Sequence, residues 1–150
     1  MSARKCMGLL EDLTSRDPKR IREASCAVRK LRDRSELAHL VQDLDRIKKL
    51  TKGVKLGGML RPNSSHLDFA IRKLELAGSS EDCFCSLYPL DDMFDPTGEE
   101  KDGNIKIIAT VLAEGNWVDH YDCVCSLCGA RFRVEEREYH YTWWSWQREP

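Results

Sequence analysis

Five cysteines in two tight groups are the residues of this sequence best suited to chemistry: Cys83-Phe84-Cys85 and Cys123-Val124-Cys125-Ser126-Leu127-Cys128. Thiolates spaced this closely hold a soft metal ion with little ordering of the chain, and a tetrahedral zinc site takes four of them. Cys83, Cys85, Cys125 and Cys128 are the expected ligands, with Cys123 as the substitute and His120 or His140 as weaker ones. A disulfide framework is the lesser reading. The segment Met1-Ser2-Ala3-Arg4-Lys5-Cys6 carries no apolar signal stretch, so a reducing, cytoplasmic setting is expected. The other two of the seven cysteines, Cys6 and Cys26, stand alone in helical-looking sequence and read as small core residues.

The second group is the stronger signal. Cys125-x-x-Cys128-Gly129-x-x-Phe132 resembles the knuckle of a zinc ribbon, where glycine after the second cysteine permits the tight turn. The first group departs from that pattern, being CxC where the resemblance asks for CxxC. Five clustered cysteines favour a closed, structural Zn2+ over a catalytic one, which needs three protein ligands and an open position for water. Free buried thiols and a redox switch are the competing readings. No HExxH, P-loop, GxGxxG or GxSxG motif is present, and an enzyme is not expected.

These ligands need elements to hold them. Residues 1–78 read as helices. Leu9, Leu10 and Leu13 mark a first helix ending near Ser15, and Asp17-Pro18 opens a second as cap and first residue. Ile21, Ala24, Val28 and Leu31 give the second helix one apolar face. Leu37, Leu40, Val41, Leu44 and Ile47 predict a third. After the glycine-containing stretch from Thr51 to Pro62, a fourth starts near Ser64, with Leu67, Ala70, Ile71 and Leu74 inward and Gly78 as its stop. Leu10, Leu13, Asp17-Pro18, Ile21-Arg22, Ala24, Val28, Leu31, Asp33, Leu37, Leu40 and Leu44 together resemble one HEAT repeat over about 40 residues. The resemblance implies a stacked helical layer able to present a binding surface.

From residue 79 the character changes, and only Phe69 of the twelve aromatic residues lies earlier. Residues 86–104 read as an acidic loop. Ile105 to Leu112 alternates as a strand, Gly115-Asn116 suits a hairpin turn, and Trp117–Val124 returns into the knuckle. Ala130–Glu136 and Tyr139–Trp146 complete a small antiparallel sheet. The expected fold is therefore α+β, a HEAT-like helical layer over 1–78 and a zinc-stapled, zinc-ribbon-like sheet over 79–150.

The formal charge of -1 conceals a division. Residues 1–80 hold 18 basic and 10 acidic side chains, a net of +8, whereas residues 81–150 hold 6 and 15, a net of -9. An overall charge near zero does not exclude a charged partner. The expected function is non-enzymatic protein binding. An acidic, aromatic surface of Asp91, Asp92, Glu99, Glu100, Glu135, Glu138, Trp143, Trp144 and Trp146 would cover a basic toxin or nucleic-acid-processing protein. A bacterial immunity protein against a nuclease-type toxin fits that description. The alternative is nucleic-acid binding through the basic helical half. No run of about 18 apolar residues exists to span a membrane.

Overall fold

The computed structural model describes residues 3–150, with side chains from Met7 onward, so the core role expected of Cys6 lies outside the described side chains. The chain divides into two compact units, Met1–Asp82 and Cys83–Pro150.

The first unit is helical: α1 Ala3–Leu13, α2 Pro18–Lys30, α3 Arg34–Val41, α4 Leu44–Thr51 and α5 Ser64–Ser79. Asp17 accepts from the Lys19 and Arg20 amides while Pro18 occupies the first turn. Asp33 caps α3 through the Ser35 amide and hydroxyl, and those bonds hold its carboxyl below the usual carboxylate range. The stretch expected as a third helix is two helices. A turn at Gln42-Asp43 separates them, closed by the Asp43 amide on the Leu40 carbonyl. Helix α5 packs on α2, α3 and α4, and α1 packs on α2, α3 and α4. Leu13, Ile21, Val28, Leu37, Leu40, Ile47 and Leu74 are fully buried in this unit.

Two features of α5 explain how it docks. Lys73 is buried, and its ammonium donates to the Arg29 and Leu31 carbonyls at the end of α2, where the negative end of the helix dipole favours a cation. Gly78 is not the expected stop but lies inside the helix. A Cβ there would stand 2.7 Å from Val41 Cγ1, so its role is close approach to α3.

The second unit begins with a 3₁₀ helix, Phe84–Leu90, and α6, Pro96–Lys101. The 3₁₀ helix starts two residues before the stretch expected to be a loop and runs into it, and α6 lies within it. Asp95-Pro96 starts α6 as Asp17-Pro18 starts α2, with the Asp95 carboxylate accepting from the Thr97 amide and hydroxyl. Four antiparallel strands follow in the order β1-β2-β3-β4: β1 Ile105–Leu112, β2 Val118–Cys125, β3 Arg131–Glu138 and β4 Thr142–Arg148. The hairpin turn at Gly115-Asn116 is present, both residues having left-handed φ (85° and 64°). Tyr139 to Tyr141 is a turn and not the start of β4, closed by the Tyr139 amide on the Tyr141 carbonyl.

One face of the sheet carries the core. Ile105, Tyr121, Cys123, Cys125, Phe132, Val134 and Trp146 pack with Cys85 and Tyr88 of the 3₁₀ helix. The Tyr88 ring meets Phe132 edge-on at 5.9 Å and Phe94 at 5.0 Å. Each outer strand also receives a bond from the preceding acidic segment. The Trp144 amide of β4 donates to the Asp92 carbonyl, and the Ile107 amide of β1 donates to the Glu100 carboxylate.

Candidate metal centre

The two cysteine groups converge from unlike supports. Cys83 caps the 3₁₀ helix and Cys85 lies in its first turn, with the Ser86 amide bonded to the Cys83 carbonyl. The first pair is thus carried on a helical turn, not on a second hairpin of ribbon type. Cys125 ends β2, and Cys128 follows on the turn leading to β3. The Gly129 amide donates to the Cys125 carbonyl, and the Cys125 amide to the Ala130 carbonyl. Gly129 has φ 76°, the conformation for which glycine is suited at this turn.

The Sγ atoms of Cys83, Cys85, Cys125 and Cys128 all lie within 4.8 Å of one another. Cys83 and Cys125 stand 3.7 Å apart, Cys85 and Cys128 3.4 Å. A tetrahedron with metal–sulfur bonds of about 2.3 Å has edges of roughly 3.8 Å, so the four sulfurs are placed to chelate one ion. Disulfides would require about 2.05 Å.

The thiols of Cys83, Cys85 and Cys125 differ in how readily they ionise. Burial pushes the Cys83 and Cys85 thiols up from their ordinary values. Cys125 moves the other way. Burial opposes its ionisation, but hydrogen bonds from the Cys128 and Leu127 amides, with the thiols of Cys83 and Cys128, bring it below the ordinary thiol range. Backbone N–H groups aimed at one sulfur prepare a thiolate, and a soft dication would relieve the cost of ionising its neighbours. These amide donors belong to the CxxC turn, but their orientation is visible only once the turn is folded.

The alternative ligands stand elsewhere. Cys123 lies outside the group, buried in the sheet core, where burial pushes its thiol to about 12. His120 keeps Nδ1 2.7 Å from Asp119 Oδ2 and Nε2 3.8 Å from Asp122 Oδ1. Asp119 also pairs with Arg133 at 3.6 Å and with Arg137 at 3.5 Å. His140 is exposed beside Tyr139, ring centroids 4.2 Å apart. Neither histidine belongs to the sulfur group.

The residues expected to form an acidic, aromatic surface are mostly engaged within the second unit. Asp91 is buried and accepts from the Met93 amide. Trp146 is buried, its indole N–H donating to the Phe94 carbonyl, so neither it nor Asp91 lies on an outer face. Asp92 and Trp143 are half-buried. Glu99 accepts from the Tyr88 hydroxyl and Asn104 amide, and Glu135 pairs with Arg137 at 3.3 Å. Trp144 is half-buried against the core and donates to Glu136. Glu100 and Glu138 are exposed. The chain has no match among family models, curated proteins or solved structures.

Proposed function

We propose that Cys83, Cys85, Cys125 and Cys128 bind one structural Zn2+, and that the stapled sheet works as a protein-binding module without catalysis of its own. The convergence of four sulfurs from two segments carries the reading, with the Leu127 and Cys128 amides directed at Cys125. A four-thiolate site leaves no position for water or substrate, which supports a structural role. The test is metal content of the full chain purified under reducing conditions. One zinc per chain is expected, and cobalt in its place should give the absorption of tetrahedral thiolate coordination. A chain that takes up neither metal after reduction overturns the assignment.

For the partner we infer a basic protein, with neutralisation of a nuclease-type toxin by an immunity protein as the working case. The net charge of -9 over residues 81–150 supports it. Asp102, Glu114 and Glu138 are exposed, so their reversal to lysine probes binding without disturbing the internal bonds of Asp91, Glu99 or Glu135. Loss of capture of the basic partner is the expected outcome. Unchanged capture, or binding only to DNA or RNA with a steep salt dependence, would replace this reading with the nucleic-acid one.

A further inference from the structure

Four sulfurs that share one centre are not equally reachable. Cys85 and Cys125 are buried (1% and 2% exposed), and Cys83 is half-buried. Cys128 is exposed, on a turn whose residues Ser126 to Gly129 are all exposed. Its sulfur lies 3.4 Å from Cys85 Sγ, across from its own turn to the 3₁₀ helix. The corresponding cross-pair of Cys83 and Cys125 is at 3.7 Å.

We propose that Cys128 is the site at which two-electron oxidants and soft electrophiles modify the metal centre, with Cys85 as the resolving thiol. The proposal rests on the zinc reading above and adds its regulation. With hydrogen peroxide as oxidant, the Cys128 thiolate attacks one peroxide oxygen. The O–O bond breaks, Cys128 becomes a sulfenic acid, and the other oxygen departs as hydroxide, protonated to water. The Cys85 thiolate then attacks the Cys128 sulfur, forming the S–S bond and expelling the sulfenic oxygen as a second hydroxide, again protonated. Two thiols are oxidised, one peroxide is reduced, and the metal leaves with two ligands lost.

The 3.4 Å separation of Cys85 and Cys128 makes this pairing accessible. Closing Cys85 to Cys128 brings the sulfurs together by only about 1.4 Å. The bond would join the 3₁₀ helix to the β2–β3 turn, the same two supports that the metal joins. Oxidation would therefore replace one cross-link with another instead of releasing the segment, and a thiol reductant would reverse it. A disulfide within Cys125-x-x-Cys128 would leave the 3₁₀ helix unattached.

The experiment uses the 150-residue chain loaded with zinc. Limiting N-ethylmaleimide is expected to label Cys128 at least tenfold faster than Cys83, Cys85 or Cys125, as read by peptide mass spectrometry. Stoichiometric peroxide should release zinc and give a reducible cross-link between the Cys85 and Cys128 peptides. In Cys85→Ser the Cys128 sulfenic acid should persist long enough to be trapped by a sulfenic-acid probe. Even labelling of the four sulfurs, or a cross-link confined to Cys125 and Cys128, overturns the proposal while leaving the zinc assignment intact. A chain that binds no zinc overturns both, and the metal analysis identifies that case before any oxidant is added.

Discussion

Tyr88 and Trp146 lie face to face, ring centroids 4.1 Å apart and planes within 17°. The stack joins the 3₁₀ helix bearing Cys85 to the last strand of the sheet, at the opposite end of the second unit's sequence. Trp146→Ala should cost about 3–5 kcal/mol, the usual loss for a large aromatic side chain in a core. Trp146→Phe should cost less, retaining a ring but losing the indole donor to the Phe94 carbonyl. Chemical denaturation of both variants checks the order, and an alanine variant within about 1 kcal/mol of the wild type contradicts it.

Cys123 and Cys125 separate packing from chelation. They are two residues apart on β2, both with 2% exposure, yet only Cys125 belongs to the sulfur group. Cys123→Ala should keep the metal at one per chain and lose about 1 kcal/mol of stability from a small cavity. Cys125→Ser should lose tight binding. Metal analysis of the two variants decides, and equal retention would place the ligands differently.

Removing the Lys73 ammonium tests the helical unit alone. In Lys73→Met the Arg29 and Leu31 carbonyls lose their common donor. A loss of about 1–3 kcal/mol is expected from removing the charged donor to these two carbonyls, measured by urea unfolding. Stability equal to the wild type would show that water or another group replaces the ammonium without cost.

Gly78 and Val41 should be energetically coupled. Alanine gains at most about 1 kcal/mol over glycine in a helix, less in the last turn where Gly78 lies, and here its Cβ would press on Val41 Cγ1 at 2.7 Å. Gly78→Ala should therefore fail to stabilise the native protein. In a Val41→Ala background the same change should stabilise, by up to about 1 kcal/mol. A double-mutant cycle by thermal unfolding measures the interaction, and additivity would exclude the contact.

Tyr121 predicts an alkaline limb in the stability profile. Burial, with Glu136 beside its hydroxyl, pushes its pKa to about 12 from an ordinary 10.0. The folded form disfavours the phenolate, so the contribution is complete below pH 10 and declines as pH rises towards 12. Tyr121→Phe should flatten that limb. The comparison is unfolding free energy against pH, and identical slopes for the two proteins would contradict it.

The α+β division and the four strands were legible because alternation at Ile105–Leu112 and the three-and-four spacing of Ile21, Ala24, Val28 and Leu31 are local signals. The break at Gln42-Asp43 was hidden because Leu37 to Ile47 keeps one helical period across it. Gly78 invited the commonest role of a helix-end glycine, and only the position of Val41, 37 residues away in sequence, assigns it to packing. Asp95-Pro96 was a missed local cue, obscured by the acidic residues around it. At the centre, spacing nominated five cysteines. What placed Cys123 in the sheet core was tertiary packing, to which a linear spacing pattern is blind. The acidic surface was the least legible feature, since composition counts carboxylates but does not show that Glu99 and Glu135 are bonded internally.

The two bonds from the acidic segment to the outer strands bear on a hazard common to every open sheet. An uncovered rim offers amides and carbonyls to any extended chain, including another molecule of the same protein, and growth from it is self-templating. Asp92 occupies the Trp144 amide on one rim, and Glu100 occupies the Ile107 amide on the other. The single stretch of nine residues from Asp92 to Glu100 thus works as a bumper on both sides, and its carboxylates make the approach of a like-charged copy unfavourable. Shortening that stretch would be felt first as lost solubility, before any change in the shape of the sheet.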